Sequence, residues 1–310
     1  MKTAERKRGS GSRKKTLGYL LFLLPGTIYL IINNYVPILG MFIAFKNIDY
    51  SKGIFKSDWV GFKNFEFLFR TRDAFIITRN TLLYNLAFIV LGTVAAVLVA
   101  ILLCELGKSF FARIFQSSLI LPNLLSWVIV AYIVYAFLNT DVGFLNKSVL
   151  SLLGGQPINW YSEPKYWPII IILVNLWKNV GYQSIVYMAS ISGIDQSIYE
   201  AAKLDGVSKL QEIRYITLPM IKPTIVIMTL MSVGRIFYSD FGLFYQVPMH
   251  SGVLFPVTQT IDTYVYNGLM ELNDISMASA AGCYQSVVGF VLVMLANLLV
   301  RKLDPDNALF

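Results

Sequence analysis

The sequence predicts an all-α integral membrane protein of about six transmembrane helices. Three observations point there. Of the 310 residues, 56% are hydrophobic and only 14% charged, whereas a water-soluble domain carries roughly a quarter charged residues to cover its core. The apolar residues lie in runs long enough to cross a bilayer. The net charge of +8 is crowded beside those runs, as in the flanking segments that orient membrane helices.

Residues 1–16 form a basic tail, with Lys2, Arg6, Lys7, Arg8, Arg13, Lys14 and Lys15 against the single acid Glu5. Such a cluster ahead of an apolar helix anchors that end in the cytoplasm. No basic patch interleaved with aromatics points to nucleic acid. The apolar run at 17–45 is too long for a signal-peptide core and lacks an Ala-x-Ala-like cleavage site. It therefore reads as a retained first crossing, interrupted by Pro25, Asn33, Asn34 and Pro37, which predict a tilt, a kink or a continuation along the outer surface. Further crossings are expected at 80–103, 114–138, 167–190, 223–245 and 276–300, each as one helix. Residues 17–310 then form a single transmembrane domain.

Six crossings put both termini on one side. With the N-terminus inside, the cytoplasmic side carries fifteen Lys and Arg against nine outside, so a multi-pass plasma-membrane protein with both termini cytoplasmic is expected. The first outer loop holds Trp59, Phe62, Phe65 and Phe69 at roughly helical spacing, which predicts an amphipathic stretch against the membrane surface. Cys104 and Cys283, far apart in apolar surroundings, suggest neither a disulfide framework nor a metal site.

The informative polar segment is 195–223, between the fourth and fifth crossings. It reads as two short helices joined by a tight turn. The first spans about Asp195 to Asp205 and stops at Gly206, the residue that tolerates a left-handed helix end. The second opens with Ser208 and Gln211 in capping-box spacing. Pro219 and Pro223 suit the start of the next helix, where a missing N–H costs nothing. Ala201 and Ala202 offer a smooth patch for a partner surface. Glu200 and Asp205 stand five apart, as separate polar contacts and not a catalytic pair. A docking knob and an ordinary amphipathic connector both fit this spacing.

The pattern Glu200-Ala201-Ala202-x-x-Asp205-Gly206, followed by Ile216-x-Leu218-Pro219-x-x-x-Pro223, resembles the coupling-loop signature of ABC importer permeases. Val207 and Ile213 depart from it, standing where Ala and Phe are usual. Leu24-Pro25-Gly26, the Trp59–Phe65 run, Asn80-Thr81 and Leu121-Pro122 look like maltose-type sugar permeases. The stretch from Gly234 to Val247 is similar to the Gram-positive branch that imports oligosaccharides and larger glycans. The resemblance covers nearly the whole chain and implies the type I importer fold, with residues 195–223 as coupling loop. It implies a second, homologous permease subunit, a cytoplasmic ATPase dimer that binds ATP and Mg, and an extracellular lipid-anchored sugar-binding protein. In that family Glu200 meets basic groups of the ATPase, and Gly206 allows the turn between coupling helices.

This chain itself carries no cofactor signature. Gly107-Lys108-Ser109 lacks the first glycine of a phosphate loop, because Leu102 stands there, and no strand precedes it. His250, the sole histidine, sits in a predicted outer loop with no second metal-type ligand nearby, and no catalytic motif is present. The chain is therefore not read as an enzyme. Substrate candidates are polar residues at membrane depth, where a charge costs about 2.5–3.5 kcal/mol on insertion scales. They are Asn175, Trp177, Lys178 and Gln183; Arg235, Tyr238, Asp240 and Tyr245; and Tyr284 with Gln285. A hydrated sugar path would use them for stacking and hydrogen bonding. The alternatives are snorkelling for Lys178, pairing with another helix or subunit for Arg235 and Asp240, and packing for the rest. A permease for a smaller sugar or a glycerol-phosphate-like solute is a rival within the class. A standalone secondary transporter is a rival outside it, and would show paired broken helices in two symmetric halves, which the sequence does not display.

Overall fold

The computed structural model describes residues 11–66, 70–107 and 109–303, with side chains left aside at 11–17, 299 and 303. Residues 1–10 of the basic tail, Phe69 and Lys108 lie outside these. Helix α1 (Gly11–Leu30) continues through a π-turn at Ile31–Tyr35 and further helical turns to Phe45, so the first crossing is one helical course. Its interruption has a local cause. Pro37 withholds the N–H that the carbonyl of residue 33 would accept, and the widened turn just before it absorbs the misfit. Asn33 instead donates its Nδ2 to the Tyr29 carbonyl at 2.9 Å. Only 6% of the span's most apolar window is buried within the chain.

The other main helices are α2 (Arg72–Glu105), α3 (Phe110–Leu124), α4 (Trp127–Leu138), α5 (Trp167–Ser192), α6 (Gln196–Leu204), α7 (Leu218–Val233), α8 (Phe241–Gln246), α9 (Ile261–Met270) and α10 (Ile275–Leu303). Helix α2 begins eight residues before the expected crossing at 80, because Thr71 caps it and Asp73 sits in its first turn, both favourable at a helix N-terminus. Helices α2 and α5 are the central pair. Near one end their core joins Tyr84, Val130, Trp167, Ile171, Leu243 and Phe244. Near the other it joins Ala96, Ala100, Ile101, Tyr187, Ile191 and Ile221. Gly181 lets α5 touch α3 directly: a Cβ there would stand 1.9 Å from the Leu119 carbonyl oxygen.

Two crossings expected as single helices are broken. The run at 114–138 is α3 and α4, bent by 103°. Pro122 lies in the last turn of α3, Leu125 is extended, and the Ser126 hydroxyl starts α4 by accepting the Ile129 N–H at 3.3 Å. The run at 223–245 is displaced as well as broken. A helical course from Lys209 ends at Val233, residues 234–240 leave helical geometry, and Asp240 caps α8. The first break lies inside an apolar run, which hides it, whereas the second coincides with Arg235, Ser239 and Asp240. The two interruptions lie side by side, joined by Trp127 and Asp240.

The expected amphipathic stretch at Trp59–Phe69 is not one helix. Residues Asp58–Trp59 pair antiparallel with Lys46–Asn47, and a 3-10 segment follows at Gly61–Phe65. The Asn64 side chain ties this unit to α1's continuation, donating to the carbonyls of Ala44 and Lys46 at 2.9 and 2.8 Å. Trp59 and Phe62 stay exposed, while Phe65 packs against Ala44, Ala280 and Cys283.

Candidate functional site

Two polar regions stand out from the apolar bundle. The first is the loop at 195–223. The Asp195 carboxylate accepts the Ser197 backbone N–H at 2.9 Å and so caps α6; that bond, with help from the Ser197 hydroxyl, holds the carboxyl below the usual carboxylate range. Helix α6 ends as expected. Gly206 has φ +72°, its N–H reaches the Lys203 carbonyl, and the Val207 N–H reaches the Ala202 carbonyl, both at 3.1 Å. This is a Schellman closure. A Cβ at 206 would meet nothing within 4 Å, so the demand for glycine is conformational and not spatial. The capping box of Ser208 and Gln211 is present.

Past that point the structure corrects the expectation of a second separate helix. Lys209–Glu212, a π-turn at Ile213–Thr217 and α7 form one continuous course. Pro219 falls in the first turn of α7, but Pro223 lies in its interior. The π-turn ahead of Pro219 repeats the device seen before Pro37, relieving the carbonyl that proline leaves unpaired. Ala201 and Ala202 also part company, because neighbours on a helix point about 100° apart. Ala202 is buried, whereas Glu200, Ala201, Asp205 and Gly206 are exposed. Leu218 is half-buried and Pro219 exposed. Around the turn, Leu204 is 90% exposed, Leu210 76% and Tyr215 67%.

The second region is the layer where the two helix breaks meet. Lys178, buried on α5, points its ammonium at the end of α3 and donates to the carbonyls of Pro122 at 3.1 Å, Asn123 at 3.0 Å and Leu125. The break deprives the Asn123 and Leu125 carbonyls of helical partners, and Pro122 keeps the Leu125 N–H at 3.2 Å. An ammonium has three donors and all are engaged here, so Lys178 neither snorkels nor offers a free hydrogen to a sugar. Its charge also lies 5.0 Å from the Trp127 ring centroid. Trp127 opens α4 and donates its Nε1–H to Asp240 at 2.8 Å, whose other oxygen caps α8 through the Leu243 N–H. Gly242 permits this approach, since a Cβ there would stand 2.1 Å from Trp127 Cδ1.

The non-helical stretch after α7 is held by residues from three helices. Asn85 donates to the carbonyls of Ile236 at 3.0 Å and Tyr238 at 3.2 Å. Asp262 at the start of α9 accepts the Ser239 N–H at 2.7 Å and the Ser239 hydroxyl at 2.6 Å. Gln285, buried on α10, donates to the Phe237 carbonyl at 2.6 Å and to Asp262 at 3.1 Å. Tyr284 is paired with Thr78 at 3.4 Å. Arg235 and Asp240 make no bridge to each other, and Arg235 is exposed with no ion pair among the described residues.

Tyr238 is 43% and Trp177 47% exposed, with Asn175 and Gln183 half-buried. Tyr245 stacks on Phe241 at 4.9 Å and approaches the His250 ring at 4.5 Å. His250 in turn meets Glu271 at 2.8 Å. Asn85, Trp127 and Asp262 escape the sequence reading. The available signal for Asp262 is its place behind Thr260 and ahead of Thr263, the capping box that opens α9.

This architecture has close counterparts. The model of the family described as binding-protein-dependent transport system inner membrane component matches residues 89–305. Protein LplB of Bacillus subtilis (strain 168) is 34% identical over 287 residues, covering 93% of this chain and 89% of that protein. The polygalacturonan/rhamnogalacturonan transport system permease protein YteP of the same organism is 33% identical, covering 93% and 88%. The crystal structure of a bacterial ABC transporter involved in the import of the acidic polysaccharide alginate contains a chain that superposes with a TM-score of 0.86 at 30% identity, covering 94% of this chain and 97% of that one. With the exposed capped loop and the broken crossings already in place, these likenesses extend over the whole bundle: the chain belongs to the binding-protein-dependent transport system inner membrane component family, the multi-pass permeases of ABC importers.

Proposed function

We propose that this chain is one of two permease subunits of an ATP-driven importer, and that it passes an oligosaccharide or larger glycan delivered by an extracellular, lipid-anchored binding protein. Its loop at 195–223 lies in the cytoplasm and seats in an ATPase dimer, which binds the ATP and Mg that this chain does not. The observation that carries the reading is the exposure of Leu204, Leu210 and Tyr215 around the Gly206 turn. Apolar side chains gathered on an otherwise charged knob mark a protein contact. Lipid would not accept the neighbouring Glu200, Lys203, Asp205 and Lys209.

The relatives named for polygalacturonan/rhamnogalacturonan transport and for alginate import support a substrate of several sugar units. Its route follows the exposed side of the broken layer, past Arg235, Tyr238 and Trp177, where rings stack and hydroxyls find polar partners. Lys178, Asp240 and Gln285 serve that route by fixing its walls. The test is Gly206→Val in the co-expressed importer. A β-branched residue cannot hold φ near +72° without strain, so uptake of a labelled oligosaccharide should be lost while membrane insertion persists. Uptake at the wild-type rate would overturn the coupling role.

A further inference from the structure

We infer that the ion pair between Lys209 and Glu105 is an openable latch between the loop and the α2–α3 hairpin, with Lys209 as its positioning residue. The inference rests on the coupling reading of the loop, and adds how its movement reaches the membrane helices.

Glu105 is the last residue of α2, one short turn before α3 begins. The Lys209 ammonium stands 3.0 Å from Glu105 Oε2 and 2.9 Å from Glu212 Oε1. The two carboxylates are not equivalent. The Glu212 side chain is 5% exposed, whereas that of Glu105 is 40% exposed and that of Lys209 56%. A buried carboxylate that lost its cation would be left as an uncompensated charge, so Glu212 keeps Lys209 in place. Parting Lys209 from Glu105 has no such penalty: Glu105 returns to water and Lys209 retains Glu212. The pair is thus fixed on one side and releasable on the other.

The space beside it favours the same reading. A cavity of about 720 Å³ lies between the ends of α2 and α5 and the loop, lined by Glu105, Gln196, Tyr199, Lys203, Lys209 and Glu212. Open space thus adjoins the ion pair itself, while Ile213 and Leu218 keep the end of the loop packed against the core that holds Ala100 and Ile101. What Glu105 holds also matters. The α2–α3 hairpin leads directly to the Pro122 break, whose carbonyls Lys178 clasps and whose far side bears Trp127 on Asp240. Closing or opening the latch therefore bears on the broken layer through one helix.

The experiment uses the complete importer as it co-purifies. In a Cys104→Ser, Cys283→Ser background, Glu105→Cys and Lys209→Cys are joined by a short bifunctional thiol reagent, without nucleotide and after trapping with ATP and vanadate. The latch predicts ready cross-linking without nucleotide and a severalfold lower yield in the trapped state. Equal yields in both states would overturn it, since a purely structural tie ignores nucleotide. Glu105→Gln supplies a second measurement that decides if the cysteine pair fails to assemble. Loosening an exposed pair should raise ATP hydrolysis by the receptor-free complex about two- to fivefold, and an unchanged rate would overturn the latch. If Glu105→Gln changes nothing while Gly206→Val abolishes uptake, the loop keeps its coupling role and only the latch is lost.

Discussion

Between Asp195 and Gln211 the capping groups find their partners a few residues away, and Lys209 reaches out of the loop to Glu105. Asp195 takes the Ser197 N–H, Gly206 reaches back to Lys203, and Ser208 pairs with Gln211. Where the helix breaks meet, the partners are remote in sequence. Lys178 reaches Pro122 across 56 residues, Trp127 reaches Asp240 across 113, and Asn85 reaches Ile236 across 151. Both regions are polar enclaves in an apolar chain, yet one is built mainly from local caps exposed to water. The other exists only once the bundle has assembled, because non-helical backbone within a membrane protein must be satisfied by the protein itself. Damage should accordingly be global at the breaks and local in the loop.

Replacing Lys178 by Met tests the strongest form of this contrast. It strands the Asn123 and Leu125 carbonyls at the α3–α4 break and leaves Pro122 only the Leu125 N–H, each unsatisfied buried acceptor costing roughly 1–3 kcal/mol. We expect a large fall in the melting temperature of the detergent-solubilised protein, by far the greatest of the series. A variant as stable as wild type would mean that water or lipid headgroups can replace the ammonium, and the two regions would then differ less than their geometry implies.

Gly181→Ala is the next largest. The added methyl collides with the Leu119 carbonyl, and overpacking of this kind costs about 1–3 kcal/mol. Its melting temperature should fall by less than that of Lys178→Met but clearly below wild type. A neutral result would show that α3 can slide along α5.

Smallest is Ser208→Ala in the loop. Losing a capping hydroxyl costs roughly 1 kcal/mol and should act on the Lys209–Glu212 turn alone. Hydrogen exchange should quicken in that turn with the global melting temperature unmoved. A drop matching that of Gly181→Ala would show the loop to be part of the bundle's cooperative unit.

The same contrast explains what could be read in advance. Gly206, Ser208 and Gln211 announce their conformations because a helix end and a capping box are decided within one or two turns. The existence of about six crossings was equally legible, since spanning a bilayer requires a long apolar run whatever its neighbours are. The breaks were not, although Pro122 and Gly234 stand at them, because a proline near a helix end is compatible with both a kink and a continuous span. Pro223 makes the point from the other direction, sitting inside α7 with the chain continuing through it. Lys178, Gln285 and Asp240 were recognisable as costly polar groups, but their occupations depend on which carbonyls and indoles lie opposite.

The sequence by itself determined the membrane character, the presence of five or six long apolar runs and the capped turn at Gly206, all of which follow from composition or from neighbours along the chain. Only the tertiary structure decided that two crossings break at a common level, that Lys178 is spent on the Pro122 break, and that Asp262 and Asn85 hold the stretch after Val233. The reason is physical. An apolar run or a cap is a local preference, whereas a broken helix in a low-dielectric bundle is tolerated only when distant side chains arrive to satisfy the backbone it exposes.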